Sequence, residues 1–261
     1  MSSAEGRPRG DRPESQRPKA AAPGLRLDPE GWFGVAHEEW LHPKRTALLV
    51  IDMQNYDANR QWALIGTRGT GAPAQAASYY YDRIEGTVVP AIRRLLGGFR
   101  ALGALVVHAL FASPHPGAPE MPPLWRLRFE QHAEDSGRSY VPQVGRPEMR
   151  ILPALEPLPG EPLLPKVTGS AFLSTSLHDL FRYRGIRSFV ACGAWLNSCV
   201  EDTIRTGADL GYLVTLAEDA AAAPDPAFHQ AAVRVLGELY CQVRSSDWIL
   251  SRLWPAAAAT P

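Results

Sequence analysis

Apolar residues recur along this chain in two rhythms. Positions 46–51, Thr-Ala-Leu-Leu-Val-Ile, are a short unbroken apolar run, the pattern of a strand covered on both faces. Ile84, Val88, Ile92, Leu95, Leu96 and Phe99 then follow at three- and four-residue spacing, which predicts a helix over 82–102, kinked at Pro90. A second apolar run at 103–109 reads as another strand. Downstream the alternation repeats in tighter units. It predicts strands at 162–166, 187–192, 212–217 and 240–243, with helices at 174–183, 197–210 and 226–238. Strand-helix alternation over short loops predicts an α/β fold, a three-layer Rossmann-like sandwich with a mostly parallel central sheet and helices on both faces.

Three stretches break the rhythm. Residues 1–30 are rich in Pro, Arg, Gly and Ala and almost empty of large apolar side chains, so a disordered tail is expected there. Residues 111–150 carry Pro, Arg and aromatics without period and read as a long irregular insertion lying over something. Residues 255–261, mostly Ala, read as a frayed end. One domain over 31–254 remains.

Composition narrows the partners. Lys+Arg 27 balances Asp+Glu 27 over 261 residues, which gives no electrostatic reason to bind nucleic acid or an anionic membrane. No apolar run approaches the roughly 20 residues needed to span a bilayer, and the N-terminal residues lack the apolar core of a secretory signal. Three cysteines without metal-type spacing argue for a reducing compartment, so a cytoplasmic protein is expected.

The candidate chemistry lies at strand ends, where open parallel sheets bind ligands. Asp52 follows the first run, Lys166 ends the strand at 162–166, and Cys199 lies just past the strand at 187–192. Parallel strands bring all three to one edge. They supply a base, a cation and a nucleophile, the three parts of a cysteine hydrolase. Cys199 falls in the predicted first helical turn, where the macrodipole and unpaired N–H groups are expected to lower its pKa. Cys192 and Cys241 read as core residues. Asp52 as a turn cap and Lys166 as a solvated strand end remain the simpler readings of those two residues taken singly.

Three segments carry a family resemblance. Leu-Val-Ile-Asp-Met-Gln-Asn at 49–55, Pro-Lys-Val-Thr-Gly-Ser-Ala-Phe at 165–172 and Cys-Val-Glu-Asp-Thr-Ile-Arg at 199–205 resemble, in order, the motifs of the isochorismatase-like cysteine hydrolases. The resemblance covers about 45–245. It implies a metal-independent amidohydrolase with the triad Asp52, Lys166 and Cys199, no cofactor, and a small amide, ureido or carbamoyl substrate. It further implies a thioester acyl-enzyme, an oxyanion hole from the backbone N–H of Cys199 and of the preceding loop at Trp195, a cis peptide at Ala194–Trp195, and a homo-oligomer.

Trp195 stands where the family usually has a small residue, either as a wall of the acyl pocket or as core packing. Gln54, Asn55, Trp125, Phe172, Trp195 and Asn197 are the expected substrate contacts, with Trp125 or Phe129 as a lid. Arg126, Arg128, Arg138, Arg146 and Arg150 are candidates for a substrate carboxylate. Residues 53–70 contain no histidine, unlike the family's metal-binding nicotinamidase branch, so no metal site is expected. His108 reads as a hydrogen-bonded structural residue, and Tyr79, Tyr80 and Tyr81 as packing. Two other readings stay open: a vinyl-ether hydrolase of the isochorismatase type, which needs no thiol, and a non-catalytic binding subunit.

Overall fold

A computed structural model describes residues 32–62, 76–137 and 142–253; the two expected tails and Arg138 lie outside them. Six strands, β1 (Thr46–Ile51), β2 (Val106–Phe111), β3 (Leu163–Lys166), β4 (Ser188–Ala194), β5 (Leu213–Ala222) and β6 (Gln242–Arg244), form one sheet in the order β3-β2-β1-β4-β5-β6. Every pairing is parallel. The chain winds outward through β2 and β3, then returns to the centre and winds the other way. The reversal falls between β1 and β4, where such sheets open a ligand crevice.

The unbroken apolar runs are explained by two cores. Ala47, Leu49 and Ile51 of β1 face one of them, and Leu48 and Val50 face the other. β4 divides the same way, with Phe189 and Ala191 against Val190 and Cys192. A strand with both faces covered needs no polar side, and each buried Leu, Ile or Val is worth about 1.5–3 kcal/mol over its exposed state. One core packs under the helices α3 (Ala76–Arg83), α4 (Val89–Ala101) and α9 (Ser246–Leu253), the other under α6 (Leu177–Tyr183), α7 (Glu201–Asp209) and α8 (Pro226–Leu239).

Several boundaries differ from the sequence reading. The helix expected over 82–102 is α3 and α4 joined by a wide turn at Ile84–Val88. Pro90 sits in the first turn of α4, where its missing N–H costs nothing, so the chain departs from regular helix before the proline rather than at it. The 111–150 stretch is not irregular throughout. It holds α5 (Pro123–Ser136), opened by Pro122 and Pro123 and closed by left-handed Gly137; its weak apolar stripe hid it. Two short helices, α1 (His37–Trp40) and α2 (Asn55–Ala58), and the terminal α9 are further additions.

Candidate active site

Asp52 is the first residue beyond β1 and has φ 53°. A non-glycine residue held in the left-handed region costs roughly 1–3 kcal/mol and persists where its surroundings enforce it. The strand end thereby turns sharply before α2. Across the crevice, Gly193 of β4 lies opposite Ile51 with φ 122°. A Cβ at Gly193 would stand 2.0 Å from the Ile51 carbonyl oxygen, so only glycine lets the two strands approach there. The Ala194–Trp195 peptide that follows is cis.

Cys199 does not sit in a regular first helical turn. Residues Leu196–Val200 form a wide turn in which Ser198 has φ −144° and ψ −106°, and α7 begins only at Glu201. Thr203 ties this turn to the lysine segment: its Oγ1 donates to the Cys199 carbonyl at 2.7 Å and accepts from the Ala171 N–H at 3.0 Å.

Lys166 comes from the edge strand β3, two strands away from β1. Its side chain crosses the end of β2 over the Phe111 ring, with Nζ 4.6 Å from the ring centroid. There it donates to the Thr168 carbonyl at 3.0 Å and stands 2.8 Å from Asp52 Oδ2. The ammonium is wholly buried and the carboxylate nearly so. Such an ion pair survives away from water only because each charge has the other. Asp52, Lys166 and the Cys199 thiol perturb one another's ionisation, which sets all three in one cluster.

Burial raises the Asp52 carboxyl, and Lys166 pulls it back only in part. Burial also works against the Lys166 ammonium, but Asp52 and Cys199 outweigh it and hold the lysine charged. The thiol corrects the sequence expectation. Burial pushes Cys199 well above the ordinary thiol value, with Lys166 lowering it only partly. Desolvation is the largest influence on the sulfur. The resting group is a thiol, and a neighbouring base must take its proton.

A cleft of about 520 Å³, its open mouth included, is lined by both Asp52 and Cys199. Trp125 and Phe129 of α5 line it, as does Trp195. The indole of Trp195 is thus a pocket wall, backed by Tyr80 edge-on at 6.2 Å. The other expected contacts lie elsewhere. Gln54 is buried against backbone, donating to the Met149 carbonyl at 2.9 Å and accepting from the Phe111 N–H at 2.7 Å. Asn55 donates to the Pro147 carbonyl. Phe172 packs with Phe181, Phe189 and Tyr212 beneath α7. The Asn197 side chain is not part of the lining. All four lie in or beside the motif segments, but beyond the strand ends, where the local turns aim them away from the cleft.

The lining residues missed in the sequence are Tyr56, Asp57, Phe111, His132 and Ser198. Asp57 lies five residues after Asp52, on the first turn of α2, and its Oδ1 accepts from the Trp195 indole N–H at 2.5 Å. Of the candidate arginines, Arg128 lines the cleft, with its guanidinium 4.8 Å from the Trp125 ring. Arg126 is spent on the Gly117 and Ala118 carbonyls, and Arg146 on Glu148. No cluster of three His, Cys, Asp or Glu side chains suited to a metal ion occurs among the described residues.

The profile of the isochorismatase domain matches residues 46–247. The chain belongs to this family. It is 31% identical to a ureidoacrylate amidohydrolase, RutB, of Klebsiella pneumoniae over 82% of this chain and 89% of that one. Among solved structures, a cysteine hydrolase from Pseudomonas syringae superposes with a TM-score of 0.64, at 24% identity over 82% of this chain and 94% of that chain. An N-carbamoylsarcosine amidase from Thermoplasma acidophilum gives 0.55, at 25% identity over 78% and 97%. The sandwich expected from the hydrophobic rhythm is the fold of this family, with a sheet parallel throughout.

Proposed function

We infer that this protein is a cysteine-dependent amidohydrolase that cleaves a C–N bond, other than a peptide bond, in a ureido or carbamoyl compound. The observation that carries the reading is one buried cluster of carboxylate, ammonium and thiol at the sheet's reversal point, in a chain of this family. Relatives named for ureidoacrylate and N-carbamoylsarcosine support the substrate class.

In this reading Asp52 takes the proton of the Cys199 thiol, and Lys166 holds the carboxylate in place and offsets the growing negative charge. The sulfur attacks the carbamoyl carbon. The C–N bond breaks, and the nitrogen leaves as ammonia or an amine carrying the proton from Asp52. Water then adds to the thioester, giving its proton to Asp52 and restoring the thiol. The backbone N–H groups of Trp195 and Cys199 receive the oxyanion, a contribution typically worth about a hundredfold in rate per donor. The high resting pKa of Cys199 suits this sequence. The nucleophile is charged only when Asp52 is in position to deprotonate it.

Arg128 makes the substrate an acid. It is a half-buried cation on the pocket wall with no ion-pair partner among the described residues, and His132 beside it is held neutral, its pKa pushed down to about 4 chiefly by burial. A ureido or carbamoyl carboxylate fits both ends. We assign the protein to the cytoplasm as a homo-oligomer; its three cysteines are free, and no described helix is long and apolar enough to cross a membrane.

Ammonia release from N-carbamoyl amino acids, matched against their neutral amides, tests the reading, with Cys199→Ala as control. Turnover of the acids, lost in that variant, is expected. Full ammonia release by Cys199→Ala removes the thiol mechanism, and no turnover by the wild type across the set favours vinyl-ether chemistry or a binding role.

A further inference from the structure

The triad and Arg128 leave one carboxyl in the cleft without a task. Asp57 is 5% exposed and lines the same pocket as the nucleophile. Its Oδ1 is fixed by the Trp195 indole, and its Oδ2 makes no well-aligned hydrogen bond among the described residues. The Tyr80 hydroxyl lies alongside, fully buried; it makes no well-aligned hydrogen bond, yet it acts on the Asp57 carboxyl as a donor. A carboxyl fixed at one oxygen, with the other in no well-aligned hydrogen bond and on a pocket wall, is placed to meet a ligand.

We propose that Asp57 is a substrate-binding residue that sets specificity, its Oδ2–H donating a hydrogen bond to a substrate oxygen other than that of the scissile carbonyl. This rests on the ureido-acid reading above and sharpens it: the substrate must carry a second oxygen acceptor. The direction of the bond follows from the site. The indole N–H can only donate, so Oδ1 is the acceptor and any proton resides on Oδ2. Burial raises the Asp57 carboxyl to about 8, with Asp52 adding to the rise and the Trp195 indole, the Tyr80 hydroxyl and Lys166 opposing it. The group therefore carries its proton at neutral pH. Ionised, it would repel a carboxylate substrate; neutral, it binds one.

The groups facing Asp57 separate cleanly by titration. Tyr56 on its own helix and Tyr80 from α3 are pushed far up by burial. Cys199 is also raised, Lys166 from β3 stays charged, and His132 of α5 stays neutral. The Arg128 guanidinium of α5 faces the same cleft. Asp52 is also raised above the usual carboxylate range, and substitution at Asp57 separates the two.

The test uses N-carbamoyl-β-alanine as probe, in turnover and in calorimetric binding to the Cys199→Ala protein. Asp57→Asn keeps an acceptor for Trp195 and presents a donor that no pH removes. The wild type is expected to lose kcat/KM as pH rises through about 8, and Asp57→Asn to be a few-fold slower at pH 7 yet free of that loss. Asp57→Ala is expected to raise KM about tenfold or more, with a smaller change in kcat. Binding to Cys199→Ala should weaken over the same pH range, and should not when Asp57→Asn is added. An identical alkaline fall with and without Asp57→Asn, or an unchanged KM in Asp57→Ala, overturns the proposal. Binding that follows the expected pH course without any ammonia release supports the role of Asp57 while removing the hydrolase reading. Absence of binding at every pH overturns both.

Discussion

Two acid–base clusters in this molecule, one half-buried and one fully buried, are made of nearly the same parts and behave in opposite ways. In one, Glu161 accepts from Arg100 through both oxygens at 2.7 and 2.9 Å, from the Leu158 N–H at 3.0 Å, and pairs with His108 of β2 at 3.0 Å. Burial works against its charge, but these donors outweigh it and hold the carboxyl at about 2. In the other, Asp52 meets the Lys166 ammonium at 2.8 Å, yet neither of its oxygens accepts a well-aligned hydrogen bond. Burial wins there, and the carboxyl is raised. A carboxylate saturated with donors is inert and serves packing. One left short of donors keeps an affinity for protons and can do chemistry. His108, expected from the sequence to be structural, belongs to the saturated cluster.

Removing the sulfur should separate the clusters most sharply. Cys199→Ala is expected to lower ammonia release by at least about a thousandfold while the melting temperature moves little, because a small thiol is replaced by a methyl. Next, Lys166→Met and Arg100→Met remove one cation from each cluster. The lysine change should cost about a hundredfold or more in kcat, and also stability, since it strands a buried carboxylate. The arginine change should lower the melting temperature yet leave kcat within a few-fold. Equal losses of activity in the two would erase the distinction.

The pH dependence of stability gives a smaller contrast of opposite sign. Glu161 binds its proton less tightly folded than unfolded, so its contribution is full above its ordinary value of 4.5 and fades as pH falls toward about 2. Asp57 binds its proton more tightly folded, so stability drains away as pH climbs from the ordinary 3.8 toward about 8. Thermal melts across pH should show Glu161→Gln flattening the acid limb and Asp57→Asn gaining a few degrees on the alkaline side. Smallest of all is Trp195→Phe, which keeps the ring wall and deletes the donor to Asp57. A few-fold change in KM is expected, with kcat nearly intact.

The sheet and the cluster were readable in the chain for separate reasons. Runs such as 46–51 and 187–192 have no polar face, which specifies strands covered on both sides, and parallel strands send their following residues to one edge. That brings Asp52, Lys166 and Cys199 to one edge, and the three family-like motifs around them single them out. The pocket wall was less legible because it depends on side-chain direction rather than order. Gln54 and Asn55 neighbour Asp52 in sequence, but their amides serve the backbone at Met149, Phe111 and Pro147. Asp57 reaches the cleft only because Asp52 turns the chain with a positive φ into α2. The thiol's state was misjudged because sequence shows where a helix should start, while the irregular turn and the desolvation beneath it are tertiary facts.

The reach of Lys166 has a further consequence. β3 is four residues long, lies at the rim of the sheet and is paired on one side only. Rim strands open more readily than central ones. Each transient peeling of β3 withdraws the ammonium from Asp52 while β1 and β4 stay folded. Heating should therefore silence the enzyme reversibly several degrees before the bulk of the protein melts, with the edge strand acting as its thermal fuse.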